Sequence, residues 1–238
     1  MRRVLFLMSI VLLPGCDWSS DRSKTIQGAG KEARQERPIK DVNEVQISGV
    51  GKLIITQGDT ESLVIKGDQL VLSHIKSEVD DGTLYISPKD DMQLRSKSEI
   101  LYYLTVKNIK ELGLSGAIEL EAKSLKADEL KLDISGSSRA QMGIEVDKLK
   151  VHLCGSAKIY LEGEAKKQKV EASGSAHYDA GALQSAQAKI QAEGACRVTV
   201  AVRKKLYVKS SGVSVVSYKG NPHVKVHSSG AASVKRVG

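Results

Sequence analysis

Three residues able to exchange a proton or hold a cation recur at nineteen-residue intervals: Asp133, His152 and Glu171. If the chain completes one turn between them, their side chains stand in a line about 5 Å apart. Neighbours so placed could share a proton or a metal ion. The outer carboxylates would then be roughly 9 to 10 Å apart, near the upper end for the acid and base of an inverting glycosidase. A cationic set keeps a similar interval two residues earlier, at Lys131, Lys150, Lys169 and Lys189, with Arg139, Lys158 and Arg197 beyond the turn. Such a ladder suits an acidic polysaccharide or anionic lipid head groups. Each set also has a plainer reading. Acids beside lysines balance charge on a wet face, and lysines on strands suppress edge pairing and keep a β-protein soluble. No further acid or aromatic sugar platform joins the acid and imidazole line, so solvated side chains are the expectation there.

What must position both sets is a repeat. Aligned on the glycine, the turns are Ser115-Gly116, Ser135-Gly136, Cys154-Gly155, Ser173-Gly174, Glu193-Gly194, Ser211-Gly212 and Ser229-Gly230, with glycine spacings of 20, 19, 19, 20, 18 and 18. A fixed period of this size marks a solenoid. Four residues before each glycine stand Leu112, Leu132, Val151, Val170, Ile190, Val208 and Val226, an aliphatic column. Polar residues, mostly lysine, occupy the position before them, so the alternation is period two and each repeat holds a strand with one buried and one wet face. After the turn the alternation resumes with Ala157, Ala176, Cys196 and Ala232, then Ile159, Tyr178, Val198 and Val234. A single Phe and a single Trp leave an aliphatic interior, which fits thin stacked layers. The fold class is therefore all-β: a parallel β-helix or solenoid with rungs of about 19 residues over 110–238, preceded by a less regular β-rich part over 38–109 that begins the solenoid or closes its end.

The N-terminus carries an address. Met1-Arg2-Arg3, the apolar run from Val4 to Leu13 and then Pro14-Gly15-Cys16 have the layout of a bacterial secretory leader over 1–15, too short to span a membrane as an ordinary helix. Leu13-Pro14-Gly15-Cys16 resembles the lipobox of bacterial lipoproteins, which implies cleavage before Cys16 and its acylation. Residues 16–37 are polar and charged, as in a flexible tether. Export to the cell envelope, with a lipid anchor in the inner or outer membrane, argues against nucleic acid as a partner for a chain of net charge +8 and leaves acidic glycan, envelope protein and the membrane itself.

The register also separates the remaining cysteines. Cys154 sits at a turn and Cys196 two rungs later in the inward column, roughly 9 to 10 Å away. A disulfide needs Cα atoms within about 7 Å, so both are expected to be free thiols. His74, His177, His223 and His227 lack metal-ligand spacing and are expected at the surface. No phosphate-cradling loop, nucleophile elbow or zinc-protease helix is present, and neither metal nor cofactor is expected.

Ile47-Ser48-Gly49-Val50-Gly51, Ile54-Ile55-Thr56-Gln57-Gly58-Asp59, Asp81-Gly82-Thr83-Leu84-Tyr85-Ile86-Ser87-Pro88, the Ser-Gly ladder and Tyr218-Lys219-Gly220-Asn221-Pro222 together resemble the head GIN domain family of putative autotransporter adhesins. The resemblance covers about residues 39–237. Cys154 and Glu193 replace the turn serine, and Ala or Ser mostly replaces the second glycine of the corner. It implies a β-helix-like fold on a secreted or lipid-anchored bacterial protein, with no established active site to carry over. The expectation is a non-catalytic envelope lipoprotein serving surface interaction or adhesion; the alternatives are a β-helix enzyme acting on acidic polysaccharide and a structural envelope component.

Overall fold

The computed structural model describes residues 24–238. The expected leader over 1–15 and the lipidation site Cys16 lie outside the described residues. The chain runs through strands β1 (Thr25–Gln27), β2 (Glu32–Arg37) and β3 (Glu44–Gln57), then β4 (Ser62–Asp68), the helix α1 (Gln69–Ser73), β5 (Ile75–Asp80), β6 (Thr83–Pro88), β7 (Gln93–Arg95) and β8 (Leu101–Val106). The rungs follow as β9 (Glu111–Ile134), β10 (Arg139–Leu153), β11 (Lys158–Gly174), β12 (His177–Gly194) and β13 (Arg197–Ser210), ending in β14 (Val215–Lys219), β15 (His223–Ser228) and β16 (Ser233–Arg236).

From β3 to β16 neighbouring rungs pair in parallel, with Val151 opposite both Leu132 and Val170 and Ile190 opposite Val208. Those residues are buried, so the aliphatic column is the interior. Val226 is the exception: it lies in β15, whose residues are all exposed, and no later rung among the described residues covers it. At each corner one glycine stacks on the last. Gly116 has φ +89°, and a Cβ there would lie 2.4 Å from the carbonyl oxygen of Gly49. Glycine is required both by that dihedral and by the approach of successive backbones.

Gly49 belongs to residues the repeat did not reach. Ser48-Gly49 pairs in register with Ser115-Gly116, so β3 is the first rung and, of the two readings of 38–109, its first strand begins the solenoid at residue 44. The spacing hid this, because residues 58–110 are inserted between the first two corners. That insertion is the cap. The first half of β3 pairs in parallel with β6 and the second half with β8; β6 then pairs antiparallel with β5, and β8 antiparallel with β4. Reversal of direction ends the stacking and protects the sheet edge.

Of the tether expected over 16–37, residues 16–23 lie outside the described residues, and the part from residue 24 onward is corrected. β2 pairs antiparallel with β4, and β1 pairs in parallel with β7. Composition reads polarity, whereas these segments are held by backbone hydrogen bonds and by Ile26 and Ala33 packing on the core. Asp68 secures the join. Its carboxylate caps α1 by accepting from the N–H of Leu70 (2.9 Å) and Val71 (3.3 Å), and accepts from Gly30 N–H (2.5 Å). Desolvation pushes its pKa up, but hydrogen bonds from Gly30, Val71, Leu70 and Ala29 outweigh this and hold it below the usual carboxylate range.

One polar network crosses the core. The fully buried Tyr178 hydroxyl donates to Gln168 Oε1 (2.9 Å), Gln168 Nε2 donates to Ser185 Oγ (2.8 Å), and Ser185 Oγ donates to Ala201 O (2.9 Å). Burial drives the Tyr178 pKa well up, so the hydroxyl stays a donor. Tyr178→Phe leaves Gln168 Oε1 without its partner and is expected to lower unfolding free energy by about 1–3 kcal/mol. A denaturation midpoint equal to that of the unsubstituted protein would contradict this.

Candidate functional site

Two outward columns flank one inward column on the face that leads into the corner. The first is Glu129, Lys148, Lys167, Gln187, Lys205 and His223, each opposite the next; the second is Lys131, Lys150, Lys169, Lys189, Tyr207 and Lys225. Between them Leu149, Gln168, Ala188 and Leu206 turn inward and are buried. Lysine stems therefore stand on both sides of a low floor, and they enclose a groove of about 610 Å³ running along the rungs. Long lysine side chains bury their methylenes and keep the ammonium in water, which gives apolar walls with a charged rim.

Charge in the groove is uneven. At its N-terminal end Lys131 pairs with Asp133 (2.6 Å) and Glu111 (3.2 Å), and Lys150 with Glu129 (2.5 Å). Hydrogen bonding to Asp133 raises the Lys131 pKa, and that to Lys150 lowers the pKa of Glu129. Lys169 is bound to Glu171 (2.6 Å). Lys167, Lys189, Lys205 and Lys225 have no carboxylate within 4.0 Å among the described residues, and Lys189 Nζ lies 5.8 Å from the Tyr207 ring centroid. The free positive charge thus gathers in the C-terminal half of the groove.

The cationic ladder expected from the sequence is two surfaces. Lys131, Lys150, Lys169 and Lys189 do stack, but Arg139, Lys158 and Arg197 follow the corner, where they form a separate column with His177 between Lys158 and Arg197. The groove owes its second wall to Lys148, Lys167 and Lys205, which alignment on the glycines does not single out. A signal for them existed. In Asp147-Lys148, Lys166-Lys167 and Arg203-Lys204-Lys205, consecutive exposed charged residues interrupt the alternation.

Asp133, His152 and Glu171 are adjacent in register, with Asp133 Oδ1 3.7 Å from His152 Nδ1. Each carboxylate is also clamped by the lysine two residues earlier. The hydrogen bond from Lys169 holds Glu171 below the usual carboxylate range, opposite to what a general acid needs. Among the described residues no group of three or more His, Cys, Asp and Glu side chains is arranged to hold a metal. Cys154 is exposed and Cys196 buried, both as free thiols. His223 lines the groove, while His177 is half-buried with its pKa lowered chiefly by desolvation. Tyr85, outside the repeat register, stands exposed near the Asp133 end.

The sequence model of the family described as putative auto-transporter adhesin, head GIN domain, matches residues 41–222. Among solved structures the chain is similar to a putative adhesin from Bacteroides fragilis, at 22% identity and a TM-score of 0.85 over 89% of this chain and 100% of that one. It is similar to a putative lipid binding protein from Parabacteroides distasonis at 22% identity and a TM-score of 0.77, over 90% and 100% of the two chains. A putative adhesin from Parabacteroides merdae aligns with 21% identity and a TM-score of 0.72, over 90% and 100%. At these identities the likeness is one of fold. No curated protein matches the chain significantly.

Proposed function

The chain belongs to the putative auto-transporter adhesin, head GIN domain family, and from that premise we propose that it is a non-catalytic lipoprotein of the cell envelope that holds acidic polysaccharide along its lysine groove. The observation that carries this reading is the run of Lys167, Lys189, Lys205 and Lys225 on successive rungs without carboxylate partners. Rungs repeat about every 4.8 Å, so the groove presents a periodic line of charge that a linear polyanion can follow without bending. Apolar lysine stems offer the sugar rings a partly dry wall. A non-catalytic role is supported by the Lys169 hydrogen bond that holds Glu171 below the usual carboxylate range, and by the ion pair that ties Asp133 to Lys131.

The test is binding of the protein to polygalacturonate, with dextran as the uncharged comparison. Saturable binding to polygalacturonate alone, weakening steeply with added salt and releasing no reducing ends, is the expected result. Equal retention on dextran, or depolymerisation of the acidic chain, would overturn it.

Acylated Cys16 supplies the attachment to the membrane, since two or more chains anchor where one does not. Cys16→Ser is accordingly expected to shift the protein from the membrane to the soluble fraction of the expressing cell. Unchanged sedimentation with membranes would rule the anchor out.

A further inference from the structure

Where the cap meets the first rungs, one outward column reads, in register, Tyr85, Gln46, Gly113, Asp133 and His152. Tyr85 lies opposite Gln46 and Gln46 opposite Gly113. The hydrogen bonds Lys131 N–H to Lys110 O (2.8 Å) and Ser135 N–H to Leu114 O (2.9 Å) set Asp133 beside Gly113. His152 follows Asp133. Gly113 has no side chain, and the Gln46 amide fills part of the space, donating from Nε2 to Glu111 Oε1 (3.1 Å). The column therefore dips in the middle. Three rung steps of about 4.8 Å separate Tyr85 from Asp133, roughly 14 Å between walls.

The dip is the floor of a groove of about 320 Å³. One end is the Tyr85 ring, 48% exposed although it sits on a paired strand of the cap. The other is Asp133 and His152. Ser48, Ser87, Ser115 and Ser135 line one side, because the turn serine two residues after each column member is itself stacked. An exposed aromatic face, hydroxyls along a wall and a carboxylate at the end are the groups that bind a pyranose, through its C–H face and its hydroxyls respectively. Local charge excludes a polyanion. Asp133 and Glu111 share Lys131, so two carboxylates face one ammonium, the reverse of the lysine groove.

We propose that this groove between Tyr85 and Asp133 is a binding site for an uncharged saccharide about two rings long. The site is separate from the lysine groove. Tyr85 supplies the stacking surface, the serines and Gln46 bond to hydroxyls, and Asp133 accepts from the ring nearest the rungs.

The test titrates the intact protein with cellobiose, maltose and diacetylchitobiose, read by saturation-transfer NMR and calorimetry. Expected is saturable binding of at least one disaccharide with Kd on the order of 1 mM. Tyr85→Ala removes the stacking surface and Gly113→Gln lays a side chain across the floor; each is expected to weaken binding by at least ~10-fold. Tyr85→Phe keeps the ring and is expected to bind within about threefold of the unsubstituted protein. Substituting lysines in the other groove leaves binding of the neutral disaccharide unchanged, which separates failure of this site from failure of the polyanion reading. Thermal unfolding of each variant reports folding, and should Gly113→Gln misfold, the exposed Tyr85 variants decide. No binding by any of the three disaccharides, or binding indifferent to Tyr85→Ala, would overturn the proposal.

Discussion

Gly116→Ala is expected to destabilise the protein by about 3–5 kcal/mol. Two costs combine. At φ +89° an L side chain is strained whatever the space around it, at about 1–3 kcal/mol. The new Cβ would also lie 2.4 Å from the Gly49 carbonyl oxygen, a backbone atom held by the first rung and unable to swing aside. Either the rung spacing opens or the corner changes its dihedrals, and both break hydrogen bonds between β3 and β9. Gly30 separates the two costs, because it has the same φ of +89° but a Cβ there would meet nothing within 4 Å. Gly30→Ala therefore incurs the dihedral strain alone. Denaturant unfolding of the two variants beside the unsubstituted protein checks the prediction. If Gly116→Ala costs no more than Gly30→Ala, close stacking of the corners is not what demands glycine.

The second large effect is on binding. Replacing Lys167, Lys189, Lys205 and Lys225 by glutamine is expected to weaken polygalacturonate binding by roughly 100- to 1,000-fold at low ionic strength, taking about 1 kcal/mol for each lysine close to an anionic surface. Glutamine keeps most of the stem, so the groove retains its shape while losing charge. A matched variant removes four charges elsewhere: Arg139, Lys158, Arg197 and Arg203, also to glutamine. Net charge falls equally in both. A much smaller loss in the matched variant is expected, along with a steeper residual salt dependence than in the groove variant. Equal losses would mean that the polymer responds to overall charge and that the groove is no site.

Much of the fold was legible because the solenoid writes itself into sequence as a period. Seven glycine corners and the aliphatic column four residues before them assigned strand, face and neighbour for most of 110–238, including the separation of Cys154 from Cys196. The period failed at Ser48-Gly49, where an insertion stretches one interval, and at β1 and β2, whose polar composition conceals pairing through the backbone. Within the candidate sites the same division holds. Stacking of Lys150 on Lys169, and of His152 between Asp133 and Glu171, follows from spacing alone. Which lysines remain unpaired does not, since Glu111 and Glu129 reach Lys131 and Lys150 from the preceding rung.

By itself, then, the sequence determined the repeat: a rung of about nineteen residues, its inward and outward positions, and the need for glycine where successive backbones meet. These are local matters of period, volume and dihedral angle, and each rung states them again. Only the tertiary structure decided that the insertion between the first two corners is a cap, that two lysine columns face one another across a buried one, and that Tyr85 shares a groove with Asp133. Those relations join residues whose separation follows no period. Parallel pairing of β6 on β3 in the cap and the stacking of successive rungs bring them together, and no single stretch of chain encodes either.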